Sequence, residues 1–149
     1  MTNWICKTFA ELTNDELYAI LRLRNEVFVV EQNCVYPDLD NKDQRCHHLM
    51  GWRNDLLAGY SRVIPPGISY VESSIGRIVT SPAARGFGVG RELVRKSIDT
   101  LYILYGKQPV RIGAQCYLTR FYESFGFVQK GETYLEDGIQ HIEMLLPNG

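Results

Sequence analysis

The chain has little excess charge of either sign and no long apolar run. Sixteen Lys and Arg side chains stand against seventeen Asp and Glu side chains, which leaves a formal net charge of −1. Such a balance argues against nucleic acid as a partner, because a nucleic-acid-binding domain is usually strongly basic. The longest apolar stretches, such as Val27–Val30, span a few residues, whereas a membrane helix needs about twenty. We therefore expect neither a nucleic acid nor a membrane as a partner.

The sequence also lacks a targeting leader and paired metal-binding cysteines. Its first residues contain no apolar segment of the secretory type and no Arg- and Ser-rich transit pattern. The four cysteines form no C-x-x-C pair, so neither a zinc knuckle nor a thioredoxin-type motif is indicated. We expect a cytoplasmic protein with free thiols and no metal. The four cysteines are Cys6, Cys34, Cys46 and Cys116.

What is present is the composition of one soluble domain spanning residues 1–149. Apolar residues make up 45% and charged residues 22% of the chain, values typical of globular proteins. A capping box from Thr13 to Glu16 predicts the start of a helix over residues 14–31. The remaining pattern gives the order β-α-β-β-β-α-β-α-β-β, which predicts an α/β domain with a mixed sheet. A parallel strand pair should flank the second helix.

The predicted strands and helices have these approximate bounds. Strands are expected over residues 4–9, 47–52, 57–64, 74–80, 110–115, 127–128 and 139–146. Besides the helix over 14–31, helices are expected directly after the glycine-rich turn and over 118–125. A polar segment containing Asp137-Gly138 joins the last two strands, and Asp38–Asp43 is expected to form a loop. This acidic loop fits calcium poorly, because Lys42 occupies a ligand position; a solvated loop and a wall that favours a cationic substrate are the two interpretations.

A glycine-rich turn is the strongest signal in the chain. It joins a predicted strand to a predicted helix, and its glycines allow close approach of a ligand to the backbone. The first N–H groups of that helix have no side-chain cap in the sequence, so an anion is their natural partner. Neither the P-loop template nor the dinucleotide template G-x-G-x-x-G matches. The residues of the turn are Arg85, Gly86, Phe87, Gly88, Val89, Gly90 and Arg91.

This turn resembles a known motif. Arg85-x-x-Gly88-x-Gly90 is similar to the Arg/Gln-x-x-Gly-x-Gly/Ala motif of the GCN5-related N-acetyltransferases (GNAT), in which the loop binds the pyrophosphate of acetyl-coenzyme A. The segment Arg120–Phe127 resembles the "FYE-x-x-GF" segment of that family. Three further sequence segments resemble the ElaA-like branch of the family: Val27–Gln32, Gly76–Val79 and Ala114-Gln115. The resemblance spans nearly the whole chain and implies a GNAT fold with a mostly antiparallel sheet flanked by helices.

The resemblance implies an N-acetyltransferase that moves an acetyl group from acetyl-CoA to a primary amine by direct attack in a ternary complex. It assigns CoA binding to the turn over residues 85–91 and to the main chain of Ile78 and Val79. The alternatives are a non-catalytic CoA-binding or sensing module on the same fold and a nucleotide-binding enzyme. The acceptor stays open among a small amine, a peptide N-terminus and a lysine side chain. Pairing of an edge strand with a second copy would give a homodimer.

The resemblance further implies Tyr122 as the general acid that protonates the leaving thiolate. The family often places a glutamate base on the fourth strand, where this sequence has Arg77. Glu31 and His47 are therefore the candidate bases, since a carboxylate and an imidazole can both accept a proton near neutral pH. His48 is a third candidate, and because His47 and His48 point to opposite faces of a strand, at most one of them faces the cleft. Glu72 is a fourth, weaker candidate. Cys116 lies near the expected thioester but has no neighbouring base in the sequence.

Overall fold

The computed structural model describes residues 1–147, which form seven strands and three α-helices in the predicted order. The strands are β1 (Asn3–Thr8), β2 (His47–Arg53), β3 (Leu56–Ile64), β4 (Ser74–Thr80), β5 (Val110–Gln115), β6 (Val128–Glu136) and β7 (Ile139–Leu146). The helices are α1 (Asn14–Arg24), α2 (Val89–Tyr105) and α3 (Thr119–Glu123). Within the described part of the chain, no helix combines the length and the apolar content needed to cross a membrane.

The strands form two antiparallel sheets, β1-β2-β3-β4 and β5-β7-β6, and this mostly antiparallel α+β arrangement confirms the predicted fold class. The sheets meet where β4 begins. There, Ser73 and Val110 form one parallel bridge, and the Arg111 N–H donates to the Ser73 carbonyl at 3.0 Å. The parallel pair expected around α2 is therefore limited to its first residues. Beyond the bridge the described residues show no β4–β5 pairing, so a gap opens between the sheets.

The first helix begins as its capping box predicts and extends to Glu31. The Glu16 N–H donates to Thr13 Oγ1 at 3.1 Å, and the Thr13 N–H donates to Glu16 Oε1 at 2.8 Å. After α1 the chain continues as a π-helix over Asn25–Glu31, which we call the π segment. The predicted helix over 14–31 is thus one continuous helical stretch whose second part is wound more widely.

Helix α2 packs against both sheets. Its buried face packs Leu93, Val94, Ile98 and Leu101 into a cluster with side chains of both sheets. Burial of each such side chain contributes about 1.5–3 kcal/mol of transfer free energy. The relative position of the two sheets is therefore set largely by this helix, which begins at the glycine-rich turn.

Strand β6 is longer than expected. The sequence predicts a strand only at residues 127–128, whereas β6 runs to Glu136 and forms a hairpin with β7. Nearly all of its residues are exposed, so the strand carries no apolar alternation that sequence patterns detect. The turn between the strands is Asp137-Gly138, both with positive φ (52° and 78°), the geometry of a type I′ hairpin turn.

Candidate active site

A cavity of about 740 Å³ occupies the gap between β4 and β5. Its walls come from these two strands, the π segment, the glycine-rich turn, α3 and the tip of the β6–β7 hairpin. Six of the residues singled out from the sequence line it: Glu31, Ile78, Val79, Arg85, Gly90 and Tyr122. The structure thus brings together in one space residues that lie far apart in the sequence.

Strand β4 carries a β-bulge at the cavity. Tyr60 pairs with Val79 and Arg62 pairs with Gly76, so Ser61 alone lies opposite Arg77 and Ile78. Arg77 has a φ of 50°, a strained value for a side chain of this size. Bulges re-aim the backbone and often stand next to active sites. Because β5 is not paired with this part of β4, the N–H and C=O groups on that edge are open to a ligand.

The glycine-rich turn leads into the N-terminus of α2. Gly86 and Gly88 have φ values of 91° and 73°, which only glycine adopts readily, and Gly88 is the N-cap residue. No side chain caps this helix start, so its first N–H groups face outward without a partner. Gly90 lies inside the helix and lines the cavity. An uncapped helix start of this kind has the geometry that suits an anion.

The arginines of the turn have different partners. Both terminal nitrogens of Arg85 donate to the Glu31 carboxylate at 2.7 Å, which connects the turn to the end of the π segment. The hydrogen bonds from Arg85 lower the pKa of Glu31. Arg91 instead donates to Ser124 Oγ at 3.0 Å and lies over the Phe125 ring. In this arrangement Glu31 is engaged as an ion-pair partner.

Tyr122 lies at the cavity wall with its ring almost wholly buried. The ring makes edge contacts with Phe121 and Phe127, at centroid distances of 5.2 and 5.9 Å. Among the described residues its hydroxyl has no hydrogen-bond partner, so the O–H is available to a ligand. Burial raises the pKa of Tyr122, and the phenol keeps its proton at neutral pH.

His141 is a cavity residue that the sequence analysis missed. It lies on β7 opposite Gln115, stacks on Tyr134 at 5.7 Å and is 7% exposed. Its Nδ1 lies 2.8 Å from the Ile139 carbonyl oxygen, which can only accept, so Nδ1 carries the proton. In the neutral imidazole Nε2 then holds the lone pair of a proton acceptor. The Asp137-Gly138 turn is the signal that could have placed His141, had β6 been recognised as a strand.

The other three candidate bases lie outside the cavity. His47 points toward α2, with Nδ1 3.1 Å from the Tyr105 hydroxyl, because alternation along β2 directs it to that side. His48 points the other way and is buried, with Nδ1 2.6 Å from the Tyr60 hydroxyl. Glu72 forms an ion pair with Arg111. The structure therefore gives no geometric support to the hypothesis that His47 is the base.

Ion pairs hold the acidic loop in place, so it is not the solvated loop of the first interpretation. Three aspartates pair with three arginines from α1, β3 and β4: Arg24 with Asp38 and Asp43, Arg62 with Asp40 and Asp43, and Arg77 with Asp38, all at 2.7–2.9 Å. Equal numbers of opposite charges leave this network neutral. Its carboxylates are thus occupied, and the loop forms a rigid wall beside the cavity.

Comparison with known proteins identifies this arrangement as that of a CoA-dependent acyltransferase. The profile of the Acetyltransferase (GNAT) domain matches residues 10–147. Protein ElaA of Escherichia coli is 43% identical over 146 residues, which cover 97% of this chain and 95% of ElaA. The crystal structure of E. coli ElaA superimposes with a TM-score of 0.90 at 42% identity, over 97% of this chain and 99% of that one.

Two further solved structures extend the comparison. An acyl-CoA N-acyltransferase from Pseudomonas aeruginosa is 44% identical with a TM-score of 0.93, over 97% of this chain and 99% of the other. An acetyltransferase of Bacillus subtilis, solved in complex with CoA, shares the fold at 22% identity with a TM-score of 0.65, over 99% of both chains. The chain belongs to the GNAT acetyltransferase family, which confirms the resemblance of its motifs, including that to the ElaA-like branch.

Proposed function

We propose that this protein transfers an acetyl group from acetyl-CoA to a primary amine by direct attack in a ternary complex. The observation that carries the proposal is the single cavity that the anion-binding turn, the open β4 edge, Tyr122 and His141 all line. An acid and a base on one cavity favour catalysis over the alternative of a non-catalytic CoA-binding module. The buried free thiols Cys34 and Cys46 suit a cytoplasmic setting.

The turn and the β4 edge fit the two ends of the cosubstrate. The uncapped N-terminus of α2 offers N–H groups and a positive dipole end to the pyrophosphate. In this proposal, N–H groups around Ile78 and Val79, next to the bulge of β4, stabilise the negative charge that develops on the thioester oxygen. When bound, acetyl-CoA supplies an activated acyl group.

His141 and Tyr122 move the protons of the reaction. His141 Nε2 accepts a proton from the ammonium, which frees the nitrogen lone pair to form the new N–C bond. The C–S bond breaks, and Tyr122 donates its phenolic proton to the departing thiolate. The newly acylated nitrogen then loses its second proton, which returns through water to the Tyr122 phenolate that burial disfavours, and His141 releases its proton to solvent. Glu31 is retained as the alternative base, although its pairing with Arg85 opposes that role.

An acceptor screen tests the proposal. Acetyl-CoA is incubated with a panel of primary amines, and released thiol is measured with and without each amine. His141→Asn keeps a group able to donate to the Ile139 carbonyl but removes the Nε2 lone pair, so we expect kcat to fall about 10²-fold. His47→Asn is the matched control and should keep its rate. CoA binding without amine-dependent thiol release would instead support a CoA-sensing module.

A further inference from the structure

Of the seven Lys, Arg, Asp and Glu side chains that line the cavity, four are in ion pairs. Glu31 pairs with Arg85, Asp40 with Arg62, and Arg77 with Asp38. Three charged side chains are left over: Lys42, Glu136 and Asp137. Within residues 1–147 none of these three has a Lys, Arg, Asp or Glu partner at ion-pair distance. They are the charges that a substrate meets.

Lys42 is the surplus cation of the wall that the acidic loop forms. The aspartates and arginines of that wall cancel, so Lys42 gives it a net positive charge. The residue as a whole is half-buried, and its Nζ makes one long hydrogen bond, 3.4 Å to Ser69 Oγ. Its backbone N–H donates to Asp40 Oδ1 at 3.1 Å, which fixes the residue at the edge of the ion-pair network. An ammonium that lines a cavity without a carboxylate partner favours an anionic ligand there.

Glu136, Asp137 and His141 form a second and oppositely charged group at the tip of the β6–β7 hairpin. Glu136 Oε2 lies 3.8 Å from His141 Nε2. The Cys34 thiol donates to the Asp137 carbonyl at 2.9 Å, which holds the hairpin tip against the chain that follows the π segment. A negative group beside the proposed base attracts an ammonium to the nitrogen atom that deprotonates it.

We propose that the acceptor is a small zwitterion, a molecule of the amino-acid class that carries a primary amine and a free carboxylate. This inference rests on the proposed function. Lys42 binds the carboxylate, while Glu136 and His141 receive the ammonium. A simple alkylamine leaves Lys42 without a partner, and a peptide N-terminus presents an amide where Lys42 requires an anion. Of the three acceptor classes left open by the sequence, the charges of the cavity select the small molecule.

The test compares L-amino acids with their own carboxamides as acceptors, using acetyl-CoA and thiol release. We expect kcat/KM to be at least tenfold higher for the preferred acid than for its amide. The amine of the amide is intrinsically easier to deprotonate, so this preference can only come from recognition of the carboxylate. Lys42→Gln should raise KM for the acid about tenfold, or about 1.4 kcal/mol, with a much smaller effect on the amide. Lys96→Gln, an exposed lysine of α2 outside the cavity, is the matched control.

A binding measurement separates recognition from turnover. In the presence of CoA, calorimetry should show that the N-acetylated form of the preferred acid binds more tightly than its carboxamide, and that Lys42→Gln removes the difference. If amides or simple amines are acetylated with the same kcat/KM as the acids, the zwitterion proposal fails while the proposed function stands. If Lys42→Gln prefers acids over amides as strongly as the parent protein does, Lys42 does not bind the carboxylate and that assignment is overturned. If no amine of either panel is acetylated, the proposed function fails first.

Discussion

The surroundings of Tyr122 favour a protonated hydroxyl, whereas those of His141 favour the tautomer whose Nε2 carries no proton. Burial among aromatic rings raises the pKa of Tyr122, so the phenol is protonated at neutral pH and can donate a hydrogen bond to the sulfur as negative charge develops there. The carbonyl of Ile139 fixes the proton of His141 on Nδ1 and leaves Nε2 as an acceptor. The two side chains are therefore suited to proton donation and proton acceptance respectively.

Tyr122→Phe tests the acid directly. The variant keeps the ring and its contacts with Phe121 and Phe127 and loses only the O–H. We expect kcat and kcat/KM to fall together by about 10²-fold, because the lost interaction exists mainly in the transition state. Folding and CoA affinity should stay as in the parent, which thermal unfolding and a CoA titration measure. A joint loss of CoA binding and activity would make Tyr122 a cosubstrate-binding residue instead.

Single residues were predictable where a motif fixes their neighbours. Tyr122 was found because it stands inside a recognisable aromatic segment, and the structure places it at the cavity. His141 was missed because its strand partner, β6, is exposed and polar. Strand alternation predicted that at most one of His47 and His48 faces the cleft; the structure directs His47 to Tyr105 and His48 to Tyr60, and neither lines the cavity. Residue type without strand register does not decide which side chains meet.

At the scale of elements, the π segment and the glycine-rich turn both line the cavity and are joined by the Glu31–Arg85 ion pair. A π-helix is rare and is often found at functional sites, since its wider turn shifts the side chains that follow. Here it ends at Glu31, whose carboxylate takes both terminal nitrogens of Arg85. The Arg85 guanidinium is thereby engaged within the protein, and the proposed binding of a pyrophosphate would have to compete with this ion pair.

Glu31→Gln releases Arg85 from its internal carboxylate. We expect CoA to bind about two- to fivefold more tightly, a gain that matches the worth of an exposed ion pair of up to about 1 kcal/mol. Since the pair is half-exposed, the gain should shrink at high salt. Calorimetric titration with CoA at two salt concentrations measures both effects. A variant with unchanged CoA affinity and a much lower kcat would show instead that Glu31 is the base.

Gly90→Ala separates the anion site from the conformational needs of the turn. Gly86 and Gly88 have positive φ, so any replacement there also strains the backbone. Gly90 lies inside α2, and an added Cβ would meet only Thr80 Cγ2 at an ordinary 3.9 Å. We expect an unchanged or slightly higher melting temperature, because alanine favours helix, together with CoA binding weakened about tenfold where the methyl group crowds the pyrophosphate. Unchanged CoA affinity in this variant would place the pyrophosphate elsewhere.

Elements with apolar periodicity or a capping signal were predictable, and those without were not. The capping box at Thr13 and the glycine-rich turn each mark a helix start that the structure confirms. The switch from α- to π-helix within 14–31 leaves the apolar spacing almost unchanged and has no signal in the sequence. The length of β6 was underestimated for the same reason, since an exposed strand needs no apolar face.

At the scale of the whole molecule, the arginine–aspartate network joins α1, the acidic loop and the first sheet. Arg24 is fully buried and Arg62 is 3% exposed, and both donate to Asp43. Arg24 precedes Asp43 by 19 residues and Arg62 follows it by 19, so no local sequence pattern predicts these ion pairs. The sequence predicted a loop here and left open whether it is solvated or borders the substrate; that its carboxylates are paired with buried arginines follows only from the three-dimensional arrangement.

The same network makes the stability of the fold depend on pH. Burial alone would raise the pKa of Asp43, but the charges and hydrogen bonds of Arg24 and Arg62 outweigh it and hold the pKa below its ordinary value. Burial also lowers the pKa of His48, which is neutral in the fold and accepts from the Tyr60 hydroxyl. Both groups therefore bind fewer protons when folded, and stability rises with pH across their titrations.

The pH windows differ for the two groups. The contribution of His48 is complete above its unfolded pKa of about 6.5 and declines as the pH falls below it; that of Asp43 is complete above about pH 3.9 and is lost below. Urea unfolding at pH 7.5, 5.5, 4 and 3 should thus show a free energy of unfolding that declines first gently and then steeply.

Asp43→Asn isolates the carboxylate in this profile. At pH 7 it leaves two buried guanidiniums short of a negative charge, so we expect a loss of about 3–5 kcal/mol. Below the folded pKa of Asp43 the parent loses the same charge by protonation, and the two unfolding curves should converge. Asp99→Asn, on the exposed face of α2, is the matched control and should run parallel to the parent at every pH. A constant difference between Asp43→Asn and the parent down to the acid limit would mean that shape and hydrogen bonding, not the charge of Asp43, stabilise this wall.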